Sequence, residues 1–142
     1  MSEKIILNKI IGTEINMEYR YKATLLRVVD GDTIDIDVDL GFGVWLRKQR
    51  VRLMGIDTPE SRTRNLAEKE LGLASKDRLI ELLSVPTFTI ITHKDSKGKF
   101  GRILAEPEVD HPQYGKINVC DRMIEEGHAR SYYGGKKIAW VE

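Results

Sequence analysis

The stretch TIDIDVDL, Thr33 to Leu40, alternates strictly, with Ile34, Ile36 and Val38 on one face and Asp35, Asp37 and Asp39 on the other. Successive side chains of a strand point to opposite faces, so this period predicts a half-buried strand. Before it, YKATLLRVV (Tyr21 to Val29) is apolar and β-branched enough for a first strand, and the DGD that follows is a turn signal. GFGVW reads as a loop. RKQRVRLMGI (Arg47 to Ile56) then reads as a third strand, which stops at DTPES, where proline cannot extend a ladder. At Asn65 the period changes: Asn65 can cap, Glu68 stands three residues on, and LAEKELGLASKDRLIELL follows as a helix with an imperfect apolar stripe and Gly72 in its middle. TFTIITHK (Thr87 to Lys94) and KFGRILAEP form a hairpin about the turn DSKG. GKINVCDRMIEEG supplies a second helix, capped by Asn118, with Val119 and Met123 four apart and Gly127 as its stop.

Three strands, a helix, two strands and a helix make an α+β chain that is mainly β. That order fits a small five-stranded Greek-key barrel of the oligonucleotide-binding (OB) type, with a third helix only if the residues after Tyr133 form one. At 142 residues the chain divides into an N-terminal extension, 1–20, and one domain, 21–142. A domain of this size buries about two-thirds of the surface its unfolded chain exposes.

Composition, 41% hydrophobic and 32% charged, is that of a soluble globular protein. The single Cys120 excludes an intramolecular disulfide and reads as a small buried residue. The N-terminal stretch is interrupted by Lys9 and lacks a small-residue cleavage site, so the expectation is an intracellular protein, and no stretch is long enough to span a membrane. A net charge of +1 conceals strong segregation: Asp30 to Asp39 holds five acids and no base, whereas RKQRVR holds four bases and no acid, and HKDSKGKFGR is basic again. Local fields, not net charge, must steer any polyanion.

Neighbours among Asp35, Asp37 and Asp39 stand ~7 Å apart, and in water each pair repels by only ~0.6 kcal/mol, so a solvated strand face needs no metal. Asp32 differs because it shares the parity of Ile34 and Ile36. If the strand reaches back that far, it points to the apolar side and needs a partner; otherwise it only caps the DGDT turn. Asp30 is assigned to shaping that turn. Arg52, Asp57, Thr58 and Glu60 fall within nine residues, and Pro59 biases Thr58 to an extended backbone. Two aspartates, a backbone carbonyl and waters suit a hard cation such as Ca²⁺. Phosphodiester hydrolysis needs charge stabilisation, which the planar fork of Arg52 or Arg102 supplies, and an activated water, which a carboxylate such as Glu60 supplies. His93, His111 and His128 lack metal-ligand spacing and receive no role.

DGDT, VRLMGIDTPE and KFGR, in this order and on these strands, resemble the staphylococcal nuclease (thermonuclease) family over about Tyr21 to Tyr133. The resemblance implies a five-stranded OB barrel and a Ca²⁺-dependent, largely sequence-nonspecific nuclease that cuts DNA and RNA and leaves 3′-phosphates. By motif, Asp32, Asp57 and the carbonyl of Thr58 match the ligands of one calcium ion, Arg52 and Arg102 the arginines that clamp the phosphate, and Glu60 the base. Lys99, Phe100, Tyr132 and Tyr133 match substrate-contacting regions. Phe100 stands where the family commonly has tyrosine, which keeps the aromatic face and loses a hydroxyl.

The sequence also departs from the family pattern. DLGFGVWLRKQ is a long connection, SRTRNLAEKELG replaces a lysine-rich loop, and after YYGGKK the expectation is that KIAWV covers the face of the missing helix, or that this face is open or used by a partner. The alternative function is a non-catalytic OB module that binds nucleic acid, although such modules usually lack part of the acid and arginine set. The expected protein is a monomer with no membrane partner. For an intracellular nuclease the expectation is that scarce cytosolic Ca²⁺ keeps it harmless, or else that it is encoded by a bacteriophage for which host DNA is a target.

Overall fold

The alternation of Ile34, Ile36 and Val38 sets the inner wall of the fold: all three are essentially inaccessible in the computed structural model, which describes residues 18–94 and 103–141. The strand that carries them, β2 (Thr33–Gly41), is flanked by β1 (Tyr19–Asp30) and β3 (Val44–Leu53), both antiparallel to it. β1 starts two residues before the expected Tyr21 and bulges between Leu25 and Arg27. The bulge shifts parity, so that Ala23 faces inward before it and Val28 after it, while Leu26 is exposed.

GFGVW is not the loop expected. Gly41 pairs with Val44, leaving Phe42 and Gly43 as a two-residue connection with φ of 56° and 75°. Positive φ at both central positions is the type I′ requirement, whose twist matches that of the flanking strands, so Val44 and Trp45 are drawn into β3.

After the short β4 (Ile56–Asp57) comes α1 (Leu66–Leu82). As expected, the Asn65 side chain caps it by accepting from the Glu68 N–H. The Glu68 carboxylate instead accepts from the Glu60 N–H, so no reciprocal capping box forms. The buried stripe is Gly72, Ser75, Leu79 and Leu82, whereas Leu66, Leu71, Leu73 and Ile80 face solvent. β5 (Phe88–His93) and β6 (Ile103–His111) pair antiparallel as expected, their connecting residues lying outside the described ones.

The barrel closes because β3 also pairs with β6, in parallel, through Val51↔Ile103, Arg52↔Leu104 and Leu53↔Ala105. With β1 bridging β2 and β5, the ring runs β1–β2–β3–β6–β5 and back to β1. This is the five-stranded OB barrel, with two helices among the described residues. The first residues of the expected second helix, Gly115–Asn118, form an extra strand β7 on β6, and α2 (Val119–Glu125) begins after the Asn118 cap. Val119 and Met123 are fully buried, Cys120 nearly so, and the burial of Cys120 pushes its thiol pKa up. β8 (Arg130–Ser131) pairs with β4. Among the described residues no third helix follows, and no helix is long and apolar enough to cross a membrane.

Asp35, Asp37 and Asp39 do stand on the outer face, but the first two are ion-paired, not merely solvated. Asp35 accepts from Arg50 at 2.9 Å and from Arg27 at 2.9 Å, which holds its carboxyl below the usual range. Asp37 accepts from the Lys48 N–H at 2.9 Å and from Arg47 at 3.0 Å.

α1 is joined to α2 by Arg78, which donates to Glu126 at 2.6 and 2.8 Å, while Arg122 adds a third bond at 2.7 Å. These donors lower Glu126 from 4.5 to about 2. A carboxyl depressed on folding stabilises above its unfolded pKa and loses that contribution as pH falls from about 4.5 through about 2. Solvent screening reduces the effect, so Glu126→Gln should cost about 1 kcal/mol at pH 7 in urea unfolding. The difference from the wild type should shrink as pH approaches 3.

Gly72 generates a second expectation. A Cβ there would stand 2.4 Å from the Glu60 carbonyl oxygen and 2.6 Å from the Ser61 nitrogen, both backbone atoms. Gly72→Ala gains about 1 kcal/mol of helix propensity. The overpacking, typically about 1–3 kcal/mol, should outweigh it and leave a net destabilisation of up to about 2 kcal/mol, measured by denaturant unfolding.

Candidate metal and phosphate site

Two loops meet at one end of the closed barrel. The first is the Gly31–Asp32 turn between β1 and β2. A Cβ on Gly31 would lie 2.9 Å from Thr58 Oγ1 and 2.9 Å from Ser75 Cβ, so only glycine lets this turn pack between the second loop and α1. The Asp32 carbonyl accepts from the Leu53 N–H at 2.8 Å, which fixes the turn to the end of β3.

The second loop, 57–61, is held from three sides. Asp57 pairs with Arg130 across the β4–β8 ladder. The Thr58 N–H donates to Asp32 Oδ2 at 3.3 Å. Both the N–H and the hydroxyl of Ser61 donate to Asp30, which is buried. Asp30 therefore does more than shape its own turn: it anchors the segment that carries Thr58 and Glu60. Nothing in DGD separated this role from a turn-former, because the partner lies 31 residues away.

The predicted carboxylates converge. Arg52 points one terminal nitrogen at Asp32 Oδ2, 3.5 Å away, and at Asp57 Oδ1, 4.0 Å away. Its other terminal nitrogen donates to the Leu53 carbonyl at 2.9 Å, which locks the guanidinium in place. All three side chains are 15% exposed or less. β2 begins at Thr33, so Asp32 lies in the turn and the strand parity does not extend to it; its largely buried carboxylate nevertheless has partners, in Arg52, the Thr58 N–H and the Thr33 hydroxyl at 3.0 Å.

Glu60 is exposed at the rim. Desolvation, followed by the charges of Asp30 and Asp32, raises its carboxyl above the ordinary range, while Lys137 pulls it back. Tyr132 donates its N–H to the Gly55 carbonyl at 2.8 Å and its hydroxyl to the Gly135 carbonyl. Tyr133 is largely exposed and lies against Gly55, where a Cβ would meet its ring at 3.0 Å. The fold thus brings Asp32, Arg52, Asp57, Thr58 and Glu60 together, with both tyrosines beside the turn that leads into Asp57. Lys99, Phe100 and Arg102 lie outside the described residues.

Two participants had no role in the sequence reading. Lys137 Nζ stands 3.2 Å from Asp57 Oδ1, and the indole N–H of Trp140 donates to Asp57 Oδ2 at 3.2 Å. KIAWV thus reaches this end of the barrel through Lys137 and Trp140. His93 and Glu106 also pair, at 2.7 Å, on the outer sheet face.

The donor set suits a hard cation. Among the described residues no group of three or more His, Cys, Asp and Glu side chains gathers, so a cation here would have two carboxylates at most and would need backbone and water oxygens besides. The Thr58 hydroxyl oxygen is buried and has no hydrogen-bond partner among the described residues, a polar atom left over at this junction.

Residues 50–139, more than half of the chain, match the family described as staphylococcal nuclease homologue. That span includes Arg52, Asp57, Thr58, Glu60, Tyr132 and Tyr133. The thermonuclease of Staphylococcus hyicus is 30% identical over 116 residues, covering 82% of this chain and 61% of that protein. The thermonuclease of Staphylococcus intermedius is 37% identical over 107 residues, 75% of this chain and 57% of that protein. Endonuclease YncB of Bacillus subtilis (strain 168) is 32% identical over 119 residues, 83% and 51% respectively. The chain spans about half to three-fifths of the length of these relatives. On the matched span, the closed barrel and the grouping of residues at its end, the chain belongs to the family of staphylococcal nuclease homologues.

Proposed function

We propose that the chain hydrolyses phosphodiester bonds in DNA and RNA with little sequence preference, dependent on one Ca²⁺ and leaving 3′-phosphates. The observation that supports this most directly is the convergence of Asp32 and Asp57 on the Arg52 guanidinium, with Glu60 at the rim. The thermonuclease and endonuclease names of its relatives point the same way.

In this reading Asp32, Asp57 and the Thr58 carbonyl hold the ion, whose chemistry when bound is to polarise the phosphate and offset charge developing on it. Arg52 binds a non-bridging phosphate oxygen with a fork already fixed by the Leu53 carbonyl, so little reorganisation is needed as charge builds. Arg102 is the second such arginine by resemblance. Glu60, kept more basic than an ordinary carboxylate, accepts the proton of the water that attacks phosphorus. The bond to the 5′ oxygen breaks, and that oxygen takes a proton from solvent water and leaves as a hydroxyl.

Digestion of single- and double-stranded DNA and of RNA tests the proposal. Chelator should abolish cleavage and added Ca²⁺ restore it. Arg52→Ala should lower kcat by about 10²–10³, and Glu60→Gln by about 10²–10⁴, each with the unfolding transition retained. Wild-type protein that binds these nucleic acids with Ca²⁺ present but cleaves none of them would instead identify a binding module.

A further inference from the structure

Residues 136–141, beyond the two tyrosines that follow β8, have no assigned role, yet Lys137 and Trp140 make the closest side-chain polar contacts to the Asp57 carboxylate. Arg130, at the register position opposite Asp57, organises this segment: its guanidinium donates to the carbonyls of Ile138 (3.3 Å) and Ala139 (3.1 Å) and stacks on the Trp140 ring at 3.8 Å. Arg130 therefore fixes both the backbone and the aromatic ring of this segment. Residues 136–141 are strapped over the barrel end at the place where Asp57 emerges.

The two carboxylate oxygens of Asp57 receive different partners. Oδ2 accepts the Trp140 indole N–H at 3.2 Å. Oδ1 faces the Lys137 ammonium at 3.2 Å, and the Arg52 nitrogen shared with Asp32 is 4.0 Å away. Indole is a rigid single donor, so it sets the plane of the carboxylate without neutralising it. An ammonium is a mobile point charge, and the Lys137 side chain is half exposed whereas that of Asp57 is about one-tenth exposed. The held oxygen and the exchangeable one are thus distinguished by geometry.

We propose that Trp140 is a positioning residue for the Asp57 carboxylate, and that Lys137 is a resident counter-ion on Oδ1, in competition with the metal ion for that oxygen. The inference rests on the calcium reading of the site. Trp140 ties Oδ2 so that Oδ1 is the oxygen presented toward Arg52 and Asp32. Lys137 offsets the carboxylate charge when no cation is bound, which spares the fold an uncompensated buried anion. Displaced from Oδ1 by a cation, the Lys137 ammonium would stay on its flexible stem at the same barrel end as Arg52, as a further positive charge available to the substrate.

The experiment has a metal-free arm and a metal arm. In a Trp45→Phe background, which leaves Trp140 as the only indole, the ¹H–¹⁵N resonance of the Trp140 side chain is recorded without metal. Asp57→Asn should shift it, and an unmoved resonance overturns the contact and the proposal.

Calorimetric Ca²⁺ titration forms the second arm. Lys137→Met should bind Ca²⁺ about two- to fivefold tighter than wild type, the range open to an ion pair with one exposed partner. Trp140→Phe keeps the ring on Arg130 but loses the donor, and should bind about tenfold more weakly. Wild-type binding with an unchanged or weakened Kd in Lys137→Met overturns the competition, and an unchanged Kd in Trp140→Phe overturns the positioning role. No Ca²⁺ binding by wild type, with the indole shift intact, means that the calcium reading itself has failed and takes the proposal with it.

Discussion

The parallel pairing of β3 with β6 is the constraint on which the rest of the molecule depends. Three residues of β3 close the barrel, and the middle one is Arg52. Its neighbours Val51 and Leu53 point inward and are fully buried, so the register that fills the core also sends Arg52 outward. A slip of one residue would bury the guanidinium and expose two core side chains. The same register brings the Leu53 N–H to the Asp32 carbonyl and the Met54 N–H to the Ala105 carbonyl. Packing of aliphatic residues inside the barrel therefore holds charged groups in place outside it.

Around that frame, the loop from Asp57 to Ser61 is positioned by small residues and hidden polar contacts. Gly31 and Gly72 allow close approach, one from the turn before β2 and one from the middle of α1. Asp30 satisfies two donors of Ser61, and Ser75 donates to the His128 carbonyl, tying α1 to the chain after α2. A helix glycine that weakens α1 locally is what permits α1 to support the loop. The local cost in propensity is exchanged for a contact distance that no Cβ would allow.

Much of this was legible in the sequence, because the periods were clean where one face is buried. The alternation of β2, the Asn65 and Asn118 caps, and the β5–β6 hairpin follow from local rules, and the set of Asp32, Arg52, Asp57, Thr58 and Glu60 followed from motifs on adjacent strands. What was not legible depends on partners distant in sequence. The Asp30–Ser61 link, the ion pairs of Asp35 and Asp37, and the hold of Lys137 and Trp140 on Asp57 all join residues that no local pattern relates. The GFGVW turn was misjudged for another reason: two strands separated by a glycine-flanked phenylalanine can come as close as a two-residue turn allows, which lengthened β3 by three residues at its start.

The ion pairs on the outer face of β2 bear on how the protein meets a charged polymer at a distance. A strand bearing three bare carboxylates would present a negative wall running from the site along the barrel. With Arg27 and Arg50 on Asp35 and Arg47 on Asp37, three cations stand instead against two of the three carboxylates, and the excess positive charge at Asp35 offsets the charge of Asp39. The fields of these opposed charges cancel within roughly one Debye length, about 8–10 Å in physiological salt. The potential felt by an approaching phosphate chain is then governed by the unpaired charge that remains, and the acid-rich stretch of sequence is electrostatically quiet where it had promised to be repulsive.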